Sequence, residues 1–239
     1  MPRLRMKDTE IEEIKRKILD TAFAMVSKEG FANLSMRKLA SRMKMTAANI
    51  YNYYSNKDEL NIEMRRYGYI ILHDNIIKSF ERAKNMEEKV AFLIYEFVSF
   101  GITHPNYYDL MFNMATPKFS DYIGTPMEEL ATREYDSSMR VFELAQKTTR
   151  EYVESGGIAI IDTDRTIIIL LSFLHGVITL YNSRLLNNID PKPEETVREI
   201  VSLFIEIIRN LKNNEPIKEF IKGLDNVLPN QDYRLTFKE

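Results

Sequence analysis

The sequence predicts an all-α protein, with a small N-terminal helix-turn-helix unit followed by a larger helical body. Three observations carry this. Apolar residues recur at three- and four-residue spacings along most of the 239 residues, and no stretch alternates with the period of a strand. Residues Ser35 to Leu60, SMRKLASRMKMTAANIYNYYSNKDEL, read as two short helices joined by a tight turn and followed by the start of a third. The chain is 44% hydrophobic and 28% charged, which is the balance of a soluble chain able to fill a core.

The elements follow in order. Residues 1–9 form a basic terminal segment with Arg3, Arg5 and Lys7. In the helix Glu10 to Glu29, Ile11, Ile14, Ile18, Ala22 and Met25 fall on one stripe, and Gly30 ends it. Ser35 caps the next helix, whose Met36, Leu39, Ala40 and Met43 face inward. Lys44 and Met45 make the turn, and Thr46 caps a second short helix with Ile50 and Tyr54 on its inner side. Its outer side carries Ala47, Ala48, Asn49, Asn52 and Tyr53. Small and amide side chains suit a helix laid against base edges, where Asn bridges adenine and Ala touches a thymine methyl. Tyr51, Tyr53 and Lys57 are placed for flanking phosphates. With Ser35, Arg37 and Thr46 they complete the expected DNA-binding set.

From Asp58 a long helix is expected to reach about Ala83, joining the head to the body as a lever. The body then reads as helices over 86–104, 106–115, 127–155, Asp164 to about Asn187, 194–212 and 216–228, with Pro117, Pro126, Pro191 and Pro193 in the breaks. The helix at 194–212 has two apolar faces, Val197, Val201, Phe204 and Ile208 against Ile200, Leu203, Ile207 and Leu211. One face has its own chain to pack on, and the other calls for a second subunit in a four-helix interface. Phe97, Phe100, Tyr108, Met111, Phe112 and Phe173, with His175 as a polar anchor beside Tyr108, are the candidate lining of an apolar ligand pocket. For each of these residues alone, ordinary core packing is the competing reading.

At Ile18-Leu19, Ala22, Gly30-Phe31, Leu39-Ala40, the cluster Tyr51 to Tyr54 and Asn56-Lys57-Asp58-Glu59-Leu60, the chain resembles the TetR (tetracycline-repressor) family of transcriptional regulators. The resemblance covers residues 10–62. It implies a DNA-binding domain over residues 1–60, an effector-binding and dimerisation domain over 61–239, and a repressor released from a palindromic operator by a small effector. Lys44 stands where the family usually has Gly, and Tyr53 and Tyr54 stand where it often has His and Phe. His104-Pro105 with Tyr107, and Leu174-His175-Gly176, resemble the subgroup named for a Trp-His-Gly motif, with Leu174 in place of the tryptophan.

Other classes find little support. The chain has no Cys, and His73, His104 and His175 show no metal-ligand spacing. There is no Gly-rich phosphate loop and no GxSxG elbow, so neither an enzyme nor a bound cofactor is expected. The most apolar run, IIILLSFLHGVITL at 167–180, falls short of a bilayer span, and the N-terminus lacks a signal peptide, so the expected location is cytoplasmic. Residues 1–60 hold 12 Lys and Arg against 8 Asp and Glu, a net of +4, while the remainder carries −6. A basic head on an acidic body suits a protein that presents one end to DNA. The expected partners are double-stranded operator DNA, a small apolar effector and a second copy of the chain, with no membrane. The alternatives are a helix-turn-helix protein whose body binds a protein partner, and a ligand-binding or catalytic helical protein in which the N-terminal motif is idle. Asn49 and Lys57 together argue against the last.

Overall fold

The computed structural model describes residues 8–156 and 163–210, and these contain helices and no strand. Helix α1, Asp8–Glu29, stops at Gly30, whose φ of 79° breaks the helix while its N–H still donates to the Val26 carbonyl at 2.9 Å. A short 3₁₀ turn, Phe31–Asn33, leads to α2, Met36–Arg42. As its sequence predicts, Ser35 accepts from the Lys38 N–H, and Thr46 accepts from the Asn49 N–H at the start of α3, Ala47–Tyr51. Between them Lys44 sits at φ 55°, in the left-handed region that the tight turn demands.

Helix α4, Lys57–Phe80, begins at a reciprocal cap. Asn56 accepts from the Glu59 N–H, and the Glu59 carboxylate accepts from the Ser55 N–H at 2.6 Å. The helix then runs unbroken through residue 60 into the body. There it packs along α5, Met86–Thr103, and α8, Glu128–Glu154. The expected helix at 106–115 is a short α-helix, α6, Pro105–Tyr108, that widens into a π-helical turn at Asp109–Asn113. Helix α7, Phe119–Tyr122, lies in the following loop. Helix α9, Thr163–Asn182, packs on α5 and α8 and ends earlier than its apolar pattern predicts, at a turn with Arg184 at φ 61°. Then come α10, Leu186–Ile189, and α11, Pro193–Asn210, which leans on α9. The expected helix at 216–228 and the tail at 229–239 lie outside the described residues.

Head and body share one hydrophobic core, which runs from Ile18, Leu39 and Ile50 through Leu72 to Ile94, Phe100 and Ile178. A smaller core of Ile62, Tyr122, Leu130 and Ala131 stands apart from it. Beside the smaller core lies a charge pair removed from water. Arg65 is 0% exposed and donates to both oxygens of Glu134, at 2.9 and 3.0 Å, and to the Thr116 hydroxyl at 2.9 Å. Taking those charges out of water costs free energy, and the bidentate geometry with a third partner offsets it.

Lys44→Gly is expected to stabilise the head. It relieves a left-handed lysine at the price of a freer unfolded chain, for a net gain of roughly 0.5–1 kcal/mol. A chemical-denaturation midpoint that falls instead of rising would show that the lysine makes a contact worth more than its strain.

Candidate nucleic-acid interface and effector cavity

In the head, capping and packing decide which side chains are left to face outward. Ile50 and Tyr54 are buried, and the Tyr54 hydroxyl donates to the Lys15 carbonyl of α1 at 3.2 Å, which fixes the roll of α3. The opposite face of α3 and its exit then present Ala48, Tyr51 and Asn52 to solvent, with Ala47, Asn49 and Tyr53 half-buried at its edges. Arg37 is exposed on α2. The hydroxyls of Ser35 and Thr46 are engaged as helix caps. The Lys57 ammonium sits 4.5 Å from the centre of the Phe31 ring, a cation–π contact that holds it over the 3₁₀ turn at the edge of the same surface. The predicted set thus lies on α2, on α3 and its exit, and at the start of α4.

The body contains a cavity of about 210 Å³, walled by α4, α5, the π-helical turn, α8 and α9. Its lining is almost wholly apolar, with Leu72, Ile94, Phe142, Leu171 and Leu174 typical of it; Ser138 and Thr149 add hydroxyls. An apolar cavity of ~150 Å³ is already large enough for benzene.

Of the residues predicted to line a pocket, Phe97 and Phe112 do so. Phe100 stacks on His104, Phe173 stacks on Phe204 of α11 at 3.8 Å, and Met111 packs against Gly68 of α4. Tyr108 and His175 stand just behind the aromatic wall, in edge and tilted contact with Phe97 and Phe112. They hydrogen-bond to each other, Tyr108 hydroxyl to His175 Nδ1. Burial pushes the His175 imidazole down and the Tyr108 phenol up, so the phenol donates to a neutral ring. Sequence reasoning missed the contribution of α8, with Met139, Phe142 and Ala145, and that of α4, with Tyr69, Leu72 and Ile76. Both helices show apolar stripes, but nothing in a stripe distinguishes the part that meets a neighbour from the part that meets a void.

A third surface lies outside. On α9 and α11, Ile168 is 58% exposed, Ile169 57% and Leu203 57%, while Val197 and Phe204 on the other side of α11 are buried. Among the described residues no group of His, Cys, Asp or Glu is arranged to hold a metal, and no helix is long and apolar enough to cross a membrane.

Residues 18–64 match the family model of the N-terminal domain of bacterial regulatory proteins, tetR family. No curated protein matches the chain. Among solved structures, one of unknown function from a Rhodococcus species is similar with a TM-score of 0.68 and 20% identity, covering 88% of this chain and 97% of its own. A TetR-family transcriptional regulator, PfmR from Thermus thermophilus, is similar at 0.59 and 16%, covering 80% and 93%. FadR from Bacillus subtilis, solved with stearoyl-CoA, is similar at 0.60 and 14%, covering 80% and 97%. At these identities the likeness is one of fold.

The half-buried His175 gives the body an acid-sensitive spot. Its folded pKa lies below the ordinary 6.5, so the unfolded chain binds the proton more tightly. Stability is therefore full above pH 6.5 and declines as the pH falls through and below that value. His175→Gln, which cannot take up a proton, is expected to flatten this part of a stability-against-pH curve measured by denaturation between pH 5 and 8. An unchanged slope would assign it to another group.

Proposed function

We propose that this chain, a tetR-family regulatory protein by its head domain, is a repressor that binds a palindromic operator as a homodimer and is released by a small apolar effector. The observation that carries the reading is the closed continuity of parts. The helix that starts at the helix-turn-helix, α4, is also a wall of the apolar cavity. A ligand in that cavity has only to favour the arrangement of α4 that does not fit DNA. A preference of about 1–3 kcal/mol lowers operator affinity 5- to 150-fold.

The DNA contacts are assigned to Ser35, Arg37, Thr46, Ala47, Ala48, Asn49, Tyr51, Asn52, Tyr53 and Lys57. Asn49 and Ala48 read bases, and Lys57 and the tyrosines hold phosphates. The homodimer is assigned to the outer faces of α9 and α11, where Ile168, Ile169 and Leu203 stay exposed in the single chain. The effector class is a molecule with an aliphatic chain. The cavity supports this by its apolar lining, and FadR, a neighbour in fold, is solved with stearoyl-CoA.

Three measurements test these assignments. Asn49→Ala should cost roughly 1–3 kcal/mol on the operator and little on random DNA, whereas Lys57→Ala should weaken binding to all DNA and lower the salt slope by about one unit. Equal losses on both DNAs for Asn49→Ala would remove it from the base contacts. Light scattering should give a dimer that Leu203→Glu dissociates, and a wild-type monomer at micromolar concentration would end the dimer assignment. Stearoyl-CoA should raise the melting temperature and lower operator affinity, and both effects should vanish in Ala145→Phe, which fills the cavity. Stabilisation that survives in that variant would place the ligand elsewhere.

A further inference from the structure

We infer that Thr149 is the polar anchor of the cavity, and that the effector is an aliphatic chain with one uncharged oxygen, an alcohol or a carbonyl, which accepts a hydrogen bond from the Thr149 hydroxyl. The inference rests on the effector reading above and names the chemistry of the molecule that the cavity takes.

Thr149 lies near the end of α8, is 3% exposed and lines the cavity. Its neighbour Thr148 binds its hydroxyl to the helix, donating to the Leu144 carbonyl at 2.8 Å. The Thr149 hydroxyl makes no such bond and has no hydrogen-bond partner among the described residues. The other two hydroxyls of the lining are placed differently. Ser138 donates to the Tyr135 carbonyl at 2.7 Å, and the Tyr69 phenol lies in the field of the Arg65–Glu134 pair. At 1.5 Å per residue Ser138 is about 16 Å from Thr149 along α8, so Thr149 stands alone at one end of the cavity. There Gln146 of α8 donates to Asp164 at 2.6 Å, which holds the first turn of α9 against the end of α8. Around Thr149 are Ala145, one turn back on the same face of α8, and Ile167 and Leu170 in the first turns of α9. All three are apolar.

This arrangement selects among occupants. A plain hydrocarbon fits the apolar walls but leaves a buried hydroxyl unsatisfied, which is unfavourable. A buried water ordinarily takes about three hydrogen bonds, and helical carbonyls are already committed to their own helices, so water is poorly served here. A free carboxylate meets no counter-charge, because no lining side chain is charged. The buried charges one turn away, Arg65 and Glu134, are matched to each other, and Arg65 is 0% exposed. An unpaired anion stripped of its hydration is costly in such a place. A chain ending in an alcohol, ketone, ester or thioester satisfies both the walls and the hydroxyl. His175 and Tyr108, the anchors that the sequence suggests, hydrogen-bond to each other behind Phe97 and Phe112 and leave that role to Thr149.

The test compares probes of one chain length on the full chain: n-octane, 1-octanol, methyl octanoate and, at pH 8, octanoate. Binding is read from the melting temperature and from operator affinity. The alcohol or the ester should bind about 3- to 10-fold more tightly than octane, the contribution of one hydrogen bond, and octanoate should not bind. Thr149→Val keeps the shape and removes the hydroxyl. It should reduce the preferred probe to the level of octane and leave octane unchanged, which also shows that the variant is folded with its cavity intact. Thr149→Ser should restore the preference, and Tyr69→Phe should leave it as it is. Whichever probe responds to Thr149→Val tells a hydroxyl-bearing effector from a carbonyl-bearing one. A preference that survives Thr149→Val, or that Tyr69→Phe abolishes, overturns the anchor and leaves the effector reading standing. Octanoate bound as tightly as octanol overturns the uncharged oxygen. If neither these probes nor stearoyl-CoA moves either readout in the wild type, the anchor and the effector reading fall together.

Discussion

One helix has to satisfy three sets of neighbours at once, and most of the structure follows from how it does so. Helix α4 completes the core of the head with Leu60 and Met64, meets α7 and α8 with Ile62, and faces the cavity with Leu72 and Ile76. Its buried residues therefore form one broad face that meets several elements at once, while Asp74, Ile77 and Lys78 stay exposed on the other side. A change in packing against one of those elements has to be answered at another, and that makes it a conductor of strain between sites that share no contact.

The same feature explains what could be read from the sequence. The head was legible nearly residue by residue, because its information is local. Ser35 and Thr46 are caps, Gly30 is a left-handed stop, and Lys44 occupies a tight turn whose left-handed backbone favours Gly. The all-α class and most helix ends were legible for the same reason. The π-helical turn at Asp109–Asn113 was not, because its cause is tertiary: Met111 must reach Gly68 while Phe112 reaches the cavity. Nor was the Arg65–Glu134 pair, since 69 residues separate its partners and each looks, in sequence, like an ordinary charge on a helix.

The cavity shows where composition misleads. Met and aromatic richness drew attention to the correct helices, yet much of that richness serves packing. Phe100 supports His104, Phe173 supports α11, and Tyr108 with His175 forms a closed polar unit behind the wall. The void itself is bordered largely by aliphatic residues of α4, α5, α8 and α9, together with Tyr69, Phe97, Phe112 and Phe142. A pocket is made by what neighbouring helices fail to fill, and that is a property of the packing as a whole.

The brevity of α3 has a consequence for addressing. Its residues Ala47–Tyr51 extend ~7.5 Å along the helix axis, about two base-pair steps of ~3.4 Å. An element that short distinguishes few sequences, while a genome presents roughly 10⁶–10⁹ competing sites. One head thus carries too little information to specify a location. In the proposed homodimer the missing part of the address is a length, the separation between the heads, and the protein would work as a ruler as much as a reader. An address held as a length can be erased without breaking any contact to a base, simply by changing the ruler.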